Sequence, residues 1–363
     1  MIISFILSSL WLSGGVRNVV EISNRFVQRG HSIIVIIPFG TYDRDVANEI
    51  DPKVNIVQAR INRPVITSNI SSLEKALLSV SLAWNTPRSD VIISTQTTTT
   101  IAGLIAAHLF RKGKLVWYYQ DYLEMFLDKP IESWLLQHAL KWHRKALVVS
   151  HSAKTELERY TSGKEVVVIS TGLSHAQFFQ PLSPKERRCI NGQFKRYILF
   201  LGDMRPRKGL YDFMEAAGMV MQEIPNIHLW IVSKENCNIQ SVLPFEYIYR
   251  PSRLELARLY ASCDLFVSAS WWESFGFPPL EAMACGAPVV TTDSRGVRDY
   301  AHPGENCLMV PPCNPNALAE AMIEVLQNEN LAEKFRRNGP ITASSFSWDA
   351  ATDRFEAALK SLF

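Results

Sequence analysis

The stretch at residues 271–290, WWESFGFPPLEAMACGAPVV, gives the clearest indication of the fold. It follows the apolar run DLFVSAS at 264–270 and leads into APVVTTD at 287–293, and both runs have the length and β-branched content of buried strands. Between them lie a glycine turn, adjacent prolines and an alanine-rich segment that favours a helix from Pro279. A strand, a tight turn, a helix and a second strand predict one unit of a parallel α/β sheet.

The same alternation of strand-like and helix-like segments runs through the first half of the chain. The strand-like runs are IISFIL, SIIVIIP, DVIIST, KLVWYY and ALVVS. The helices predicted between them lie at residues 16–29, 98–110 and 134–145. A polar stretch at 180–195 then has the composition of a linker.

The alternation restarts after this linker with RYILFLGD and IHLWIV and continues through the stretch quoted first. We therefore predict an α/β protein with two Rossmann-like, doubly wound domains that face a cleft. The first domain is placed at residues 1–180 and the second at 181–346, and a terminal helix at 347–363 is expected to pack back on the first domain. Ligands of such sheets bind beyond the carboxyl ends of the strands, so the loops there are the candidate sites.

Composition excludes several classes of protein. Residues 1–180 carry 19 basic and 14 acidic side chains, a modest positive excess that suits an anionic ligand or a membrane surface but is too dispersed for a nucleic-acid partner. The six cysteines form no CxxC pair, which favours reduced thiols and a cytoplasmic protein. The apolar start of the chain lacks the basic residues of a signal peptide and is interpreted as a first strand, and no later run is long enough to span a membrane.

Two glutamates, Glu273 and Glu281, bracket the turn in the quoted stretch. Each carboxylate taken alone is explained equally well as a favourable partner of the helix dipole. The spacing Glu-x7-Glu within ESFGFPPLEAMACGAPVV, however, resembles the signature of retaining glycosyltransferase family 4, whose enzymes have the two-domain glycosyltransferase-B fold. The resemblance implies that Glu273 contacts the donor sugar or its phosphate and that Glu281 binds the ribose hydroxyls.

The same resemblance assigns further donor-binding groups. The backbone N–H groups of Phe275, Gly276 and Phe277 would face the sugar and diphosphate, and a glycine permits the close backbone approach. The segment FLGDMRPRKGL, which begins its G-x5-K-G pattern at Gly202, is similar to the family's diphosphate loop.

Within that loop, Arg205 and Lys208 would hold the leaving diphosphate and form the catalytic set together with the first glutamate of the pair. An arginine fork and a lysine directly after a strand suit a group whose negative charge grows in the transition state. A solvated basic turn is the ordinary alternative for such a run.

In the first domain, LSGGVRNVVEISNRFVQRGH resembles the loop and helix that open the family's fold, so Gly15 is a candidate donor contact and Gly14 a candidate pocket residue. Gln120 and Asp121 are candidates for the acceptor or sugar pocket, at a position where many members have His-Asp. The chain also departs from the family at Thr171-Gly172, where Asn-Gly is usual, and at Asp299, where glutamate is frequent.

The resemblance implies transfer of a sugar from a nucleotide diphosphate sugar to an acceptor hydroxyl with retention of configuration. The acceptor is expected to be a surface polysaccharide or a lipid-linked oligosaccharide. The segment WYYQDYLEMF further favours a 6-deoxy sugar such as rhamnose, with an ordinary hexose as the competing donor. A sugar-nucleotide epimerase or phosphorylase of the same fold and a non-catalytic sugar-nucleotide-binding subunit remain alternatives.

No metal ion or other cofactor is expected, because no histidine or cysteine pair has ligand spacing and the acidic segment YDRD lies in a polar loop. Peripheral contact with the inner face of a membrane is a further hypothesis. It depends on aromatic and basic residues of the segment at 134–145, which would need to share an exposed face: Trp134, Lys141, Trp142, Arg144 and Lys145.

Overall fold

A computed structural model describes residues 1–60, 72–160, 163–174, 176–183, 186, 195–236 and 238–363. Most of the predicted linker at 180–195 lies outside the described residues, as do Cys189 and Cys237. The chain divides into two compact units. The first unit comprises Met1–Gly172 with Trp348–Phe363, and the second unit comprises Leu173–Ser347.

The first unit is built on a parallel sheet of seven strands in the order β3-β2-β1-β4-β5-β6-β7. The strands are β1 Ile2–Ile6, β2 Ser32–Pro38, β3 Asn55–Ala59, β4 Val91–Ser94, β5 Lys114–Tyr119, β6 Ala146–Val148 and β7 Val166–Val168. The helices are α1 Gly14–Gln28, α2 Arg44–Asn48, α3 Ser72–Asn85, α4 Thr100–Leu104, α5 Pro130–His138 and α6 His151–Glu158.

The second unit contains a parallel sheet of six strands in the order β10-β9-β8-β11-β12-β13. The strands are β8 Arg196–Leu201, β9 Ile227–Ser233, β10 Phe245–Tyr249, β11 Leu265–Ser268, β12 Val289–Thr292 and β13 Leu308–Val310. The helices are α7 Leu210–Glu223, α8 Arg253–Ser262, α9 Phe277–Ala284, α10 Pro315–Gln327 and α11 Glu329–Ser344. The prediction of two Rossmann-like, doubly wound α/β domains is confirmed.

Both sheets are covered by helices on both faces, as their continuous apolar strands require. In the second unit, Phe213 of α7 stacks on Phe200 of β8 with ring centroids 4.5 Å apart, while Tyr260 of α8 contacts Phe266 of β11 at 5.3 Å. Phe200 and Phe266 point to opposite faces, because Phe266 pairs with Leu199 in the ladder between β8 and β11.

The last helix, α12 (Trp348–Lys360), belongs to the first unit. Its Phe355 packs edge-on against Phe5 and Tyr118 of the sheet, with ring centroids 6.3 and 5.1 Å apart. Gly172 lies against the start of this helix, and a Cβ there would come within 2.3 Å of the Trp348 nitrogen. The close approach explains a glycine at this position.

The division after Gly172 differs from the sequence-based boundary at 180. Residues just beyond it already belong to the second unit, because the Leu173 N–H donates to the Phe346 carbonyl at 3.1 Å and Phe179 packs on Tyr260 at 6.1 Å. The polar composition of 180–195 favours the later boundary, but the packing of the residues before it does not follow that composition. The predicted helix at 134–145 is also shorter, since α5 ends at His138 and a 3₁₀ turn follows at Ala139–Trp142.

The prediction that Lys145 shares an exposed aromatic and basic face is wrong. Lys145 is buried, and its Nζ atom lies 2.7 Å from Glu165 and donates to the Ser361 hydroxyl at 2.7 Å. Trp134 and Trp142 are partly exposed and lie with ring centroids 5.8 Å apart. In the part of the chain that the structure describes, no helix has both the length and the apolar composition to cross a bilayer.

Candidate functional site

The second unit has a topological switch point between β8 and β11. The strands β9 and β10 extend the sheet on one side of β8, and β11, β12 and β13 extend it on the other. The loops at 202–209, after β8, and at 269–276, after β11, therefore lie side by side at the carboxyl edge of the sheet. These loops contain most of the residues that the sequence singled out.

Glu273 is the centre of this region. Its Oε1 atom accepts hydrogen bonds from the Lys208 ammonium at 2.5 Å and the Ser270 hydroxyl at 2.9 Å, and its Oε2 atom lies 3.7 Å from the Arg207 guanidinium. The side chains of Glu273 and Lys208 are only 17% and 15% exposed, so this ion pair is largely desolvated.

Burial alone would raise the pKa of Glu273. The charges of Lys208 and Arg207 and the hydrogen bonds from Lys208 and Ser270 outweigh it, so the pKa lies below the ordinary value of 4.5. Glu273 is therefore a carboxylate at neutral pH and holds the lysine in place.

Arg205 does not contact this carboxylate. It grips Asp203 through two parallel hydrogen bonds, one from Nε to Oδ1 at 2.7 Å and one from Nη2 to Oδ2. The hydrogen bonds to Asp203 raise the pKa of Arg205, and the charge of Glu273 contributes in the same direction. Arg205 thus lies near Glu273 and Lys208, but its guanidinium is bound to Asp203.

Three further charged residues near Glu273 were not predicted from the sequence. Asp203 and Arg207 stand within the quoted loop FLGDMRPRKGL and could have been found from their position directly after β8. Lys234, after β9, has its pKa lowered by burial and by the nearby positive charge of Arg205. Its position carried no signal in the sequence, because it depends on β9 lying beside β8.

Gly209 allows the two loops to meet. It has a left-handed φ of 66°, and a Cβ there would lie 2.0 Å from the Ala269 carbonyl oxygen of the neighbouring loop. Gly209 also precedes α7, which has no side-chain cap in its first turn. The first N–H groups of this helix therefore supply a positive dipole end beside Lys208.

Gly276 ends the second loop and precedes α9. Its φ is 85°, and a Cβ there would press on Val297 at 2.9 Å. Its carbonyl accepts a hydrogen bond from the buried Tyr300 hydroxyl. Phe277 is the first residue of α9, and prolines at its second and third positions carry no N–H. The start of α9 therefore offers fewer than the four free N–H donors that the first turn of a helix usually has.

Phe275 is buried, and its ring packs between Tyr300 and Phe346 with centroids 5.4 and 5.7 Å away. The ring therefore belongs to the core, and only the backbone of this residue can act at a site. Gly202, at the start of the loop after β8, lies under the Lys208 side chain, since a Cβ at Gly202 would be 3.7 Å from the Lys208 Cβ.

Glu281 lies in α9 and does not share hydrogen bonds with Glu273. Its side chain is almost fully buried, at 6% exposure, and Oε2 accepts a hydrogen bond from Tyr260 at 3.1 Å. Burial and the Glu281 charge raise the pKa of Tyr260, so the phenol stays protonated and remains a donor. Tyr260 thereby orients the carboxylate.

The candidates in the first unit also gather at a switch point, between β1 and β4. Gly14 is the first residue of α1, and a Cβ at Gly15 would lie 3.3 Å from the Gln120 Oε1 atom. Asp121 accepts a hydrogen bond from the Thr97 backbone N–H at 2.6 Å. Burial raises the pKa of Asp121 despite this hydrogen bond, and the charge of Glu156 adds to the increase.

Among the described residues, no group of three or more histidine, cysteine, aspartate or glutamate side chains is arranged to hold a metal ion. Asp43 of the YDRD segment accepts a hydrogen bond from the Asp45 N–H at 3.0 Å and caps α2.

Two family patterns match the chain. The family described as Glycosyl transferases group 1 matches residues 190–342, and the family described as Glycosyltransferase Family 4 matches residues 12–177. The chain belongs to the group 1 glycosyltransferases. The resemblance inferred from the glutamate pair is confirmed.

Two relatives and one solved structure illustrate the similarity of this glycosyltransferase to others. It is 26% identical over 243 residues to the O-antigen chain mannosyltransferase B of Escherichia coli, covering 62% of this chain and 63% of that protein, which is under two thirds of its length. It is 23% identical to the N,N'-diacetylbacillosaminyl-diphospho-undecaprenol alpha-1,3-N-acetylgalactosaminyltransferase of Campylobacter jejuni, over 90% of each chain. HepE of Anabaena, solved with UDP and glucose, shares the fold with a TM-score of 0.78 at 18% identity, over 99% of this chain and 100% of that one.

Proposed function

We propose that this glycosyltransferase moves a sugar from a nucleotide diphosphate sugar to an acceptor hydroxyl, with retention of anomeric configuration and without a metal ion. The observation that carries the proposal is the desolvated Lys208–Glu273 pair at the switch point of the second unit. An ammonium has three N–H donors, and Glu273 accepts one of them. A diphosphate oxygen can accept another while the carboxylate keeps the lysine in position.

In the proposed reaction the bond between the anomeric carbon and the phosphate oxygen breaks, and the acceptor oxygen bonds to that carbon on the same face. The acceptor proton passes to the departing phosphate oxygen, which leaves as part of the nucleoside diphosphate. Lys208, Arg207 and the start of α7 stabilise the negative charge that develops on that group. Because this additional charge is absent from the bound nucleotide sugar and grows as the bond breaks, removing Lys208 should lower turnover more than it weakens binding of the nucleotide sugar.

Glu281 is proposed to bind the ribose hydroxyls. Its carboxylate is held by Tyr260 and is nearly closed to solvent, so a hydroxyl that reaches it meets an oriented acceptor in a site of low dielectric. The backbone of Phe275, Gly276 and Phe277 is proposed to face the donor sugar and phosphate. Arg205, turned to Asp203, is proposed to contact the diphosphate only after that pair opens.

The acceptor is proposed to be a growing surface polysaccharide or a lipid-linked oligosaccharide, bound by the first unit near Gly14, Gln120 and Asp121. The names of the two relatives, an O-antigen chain mannosyltransferase and a transferase acting on a diphospho-undecaprenol compound, support this class. We propose that the protein acts at the cytoplasmic side of a membrane.

A surface of the first unit supports contact with an anionic lipid bilayer. Four apolar side chains of α3 recur at helical spacing and are 47–71% exposed, and we call them the α3 stripe: Leu73, Leu77, Val80 and Trp84. The Lys112 ammonium lies 5.9 Å from the Trp84 ring centroid, and Arg111 beside it is exposed. Exposed apolar side chains with a basic margin suit the surface of an anionic membrane.

The donor sugar is proposed to be a 6-deoxy sugar carried by dTDP or GDP, such as rhamnose. This rests on Gln120 and the segment WYYQDYLEMF. The competing donor is a 6-hydroxy hexose, which the mannosyl relative and the glucose bound to HepE favour. Turnover of matched 6-hydroxy and 6-deoxy donors with the same nucleotide decides between them, and a clear preference for the 6-hydroxy donor would remove the 6-deoxy proposal.

The function is tested with a panel of nucleotide sugars, measured for thermal stabilisation and for slow hydrolysis without acceptor. We expect one nucleotide to stabilise the protein and its sugar to be released with the anomeric configuration of the donor, as read by NMR at early times. A changed nucleotide sugar would indicate an epimerase. Binding without hydrolysis, and without transfer to extracted glycolipid acceptors, would indicate a sugar-nucleotide-binding subunit.

A further inference from the structure

Gln120 is part of a chain of hydrogen bonds that runs through the first unit. The Thr171 hydroxyl lies 3.2 Å from Asn18 Oδ1, and the Asn18 Nδ2 group donates to Gln120 Oε1 at 2.7 Å. The Gln120 Nε2 group in turn faces the Thr95 carbonyl oxygen at 3.5 Å. Asn18 and Thr171 are buried, at 3% and 0% exposure, so the middle of this chain is shielded from water.

The Thr95 carbonyl gives the chain its direction. A carbonyl oxygen only accepts hydrogen bonds, so the end of the Gln120 amide that faces it must be the Nε2 group. The opposite end is then Oε1, which accepts from Asn18. With the Asn18 amide set in this way, its own oxygen is turned to Thr171, whose hydroxyl has the Gly172 carbonyl at 3.3 Å as its other acceptor.

Gln120 and Thr171, which contact the nitrogen and the oxygen of the Asn18 amide, stand at two of the three positions at which the sequence departs from the family pattern. Residue 120 is glutamine where histidine is frequent, and residue 171 is threonine where asparagine is usual. A change at either position alters the donors and acceptors that Asn18 must match. Gly15 belongs to the same arrangement, because a side chain at that position would crowd Gln120 Oε1 at 3.3 Å.

We propose that Asn18 and Thr171 are positioning residues that, together with the Thr95 carbonyl, hold the Gln120 amide in one orientation and thereby set the specificity of the carbohydrate pocket. Gln120 and Thr171, the two departures from the family pattern, are then linked through Asn18. Because Asn18 donates to the Gln120 oxygen and the Thr95 carbonyl faces the Gln120 nitrogen, the amide meets a sugar in one orientation rather than in two. This inference rests on the proposed function, since it takes residue 120 to line that pocket.

A double-mutant cycle with Thr171→Val and Gln120→Met tests the coupling. Valine keeps the shape of threonine without its hydroxyl, and methionine keeps the length of glutamine without its amide. Two quantities are measured for all four proteins: thermal unfolding, and turnover of the nucleotide sugar that the wild type hydrolyses. Thr86→Val is the control, because it removes another buried threonine hydroxyl of the first unit, one bonded to the Leu82 carbonyl at 2.8 Å.

We expect Thr171→Val to lower kcat/KM about fivefold in the wild type, the loss of roughly one hydrogen bond, and to have little further effect on kcat/KM beside Gln120→Met. Thr86→Val should lower thermal stability and leave the preference among nucleotide sugars unchanged. Independent effects of the two substitutions on both quantities would overturn the positioning role. Coupling in thermal unfolding, in a protein that turns over no nucleotide sugar, would contradict the proposed function and with it the role in specificity.

Discussion

The substitution Lys208→Met removes the cation from the ion pair with Glu273 and keeps most of the apolar length of the side chain. Breaking a buried pair by removing one partner costs about 3–5 kcal/mol when the remaining charge has no other partner. Here Glu273 keeps the Ser270 hydroxyl at 2.9 Å and Arg207 at 3.7 Å, so we expect the variant to lose about 2 kcal/mol of stability. That loss corresponds to a melting temperature lower by roughly 4–8 °C for a unit of this size.

The dependence of this loss on pH provides a second check. The pKa of Glu273 is lower in the folded protein than its ordinary value of 4.5. A depressed carboxyl pKa stabilises the fold above the unfolded pKa, and this stabilisation disappears as the pH falls through the folded pKa. The gap in melting temperature between wild type and Lys208→Met should therefore be widest near neutral pH and should narrow below pH 4.5.

The assay is thermal unfolding followed by circular dichroism across this pH range, with Lys334→Met as the control for an exposed lysine of the same unit. The double variant Lys208→Met/Glu273→Gln should be more stable than the sum of the single losses predicts, because it leaves no uncompensated charge. A melting temperature within about 1 °C of the wild type, or a gap that does not change with pH, would refute the reasoning.

Three other predictions concern the backbone, the donor and the membrane. Gly276→Ala should cost about 1–3 kcal/mol in chemical unfolding, because its left-handed φ and the contact with Val297 both disfavour a Cβ, whereas Gly304→Ala, with an open surrounding at a similar φ, should cost less. Glu281→Gln should weaken nucleoside diphosphate binding by about 10- to 100-fold in calorimetry while leaving the melting temperature nearly unchanged, and unchanged affinity would remove the ribose role. Trp84→Ser should reduce co-sedimentation with anionic liposomes at low salt, and the exposed Ile341→Ser of the second unit should not; equal binding by both would count against the α3 stripe.

The sequence predicted the architecture because the central strands of both sheets are buried on both faces and stand out as apolar runs. It missed edge strands such as β3 and β10, since their side chains are only partly buried and their pattern is weak. The helical segment predicted at 98–110 begins as a 3₁₀ turn at Thr97–Thr99 and ends with a π-helical turn at Ile105–Leu109. Apolar periodicity does not distinguish these turns from an α-helix.

The candidate site was predictable where its residues share one loop or one motif. Lys208 and Glu273 were both identified, but the sequence could not show that they bond to each other, because the contact depends on β8 and β11 being neighbours. Arg205 was expected at the diphosphate, yet Asp203 two residues earlier holds its guanidinium. The chain from Thr171 through Asn18 to Gln120 joins three distant segments and could not be read from any one of them.

Isothermal titration calorimetry with UDP, GDP and dTDP tests the central claim most directly, using the wild type, Lys208→Met and Lys334→Met at a temperature at which all three are folded. The account predicts that at least one of these nucleotides binds the wild type and that Lys208→Met binds it about 10- to 100-fold more weakly, the loss of one charged hydrogen bond. Lys334→Met should bind as the wild type does. Absence of binding to all three nucleotides, or equal affinity in Lys208→Met, would contradict the assignment of the donor diphosphate to the switch point of the second unit.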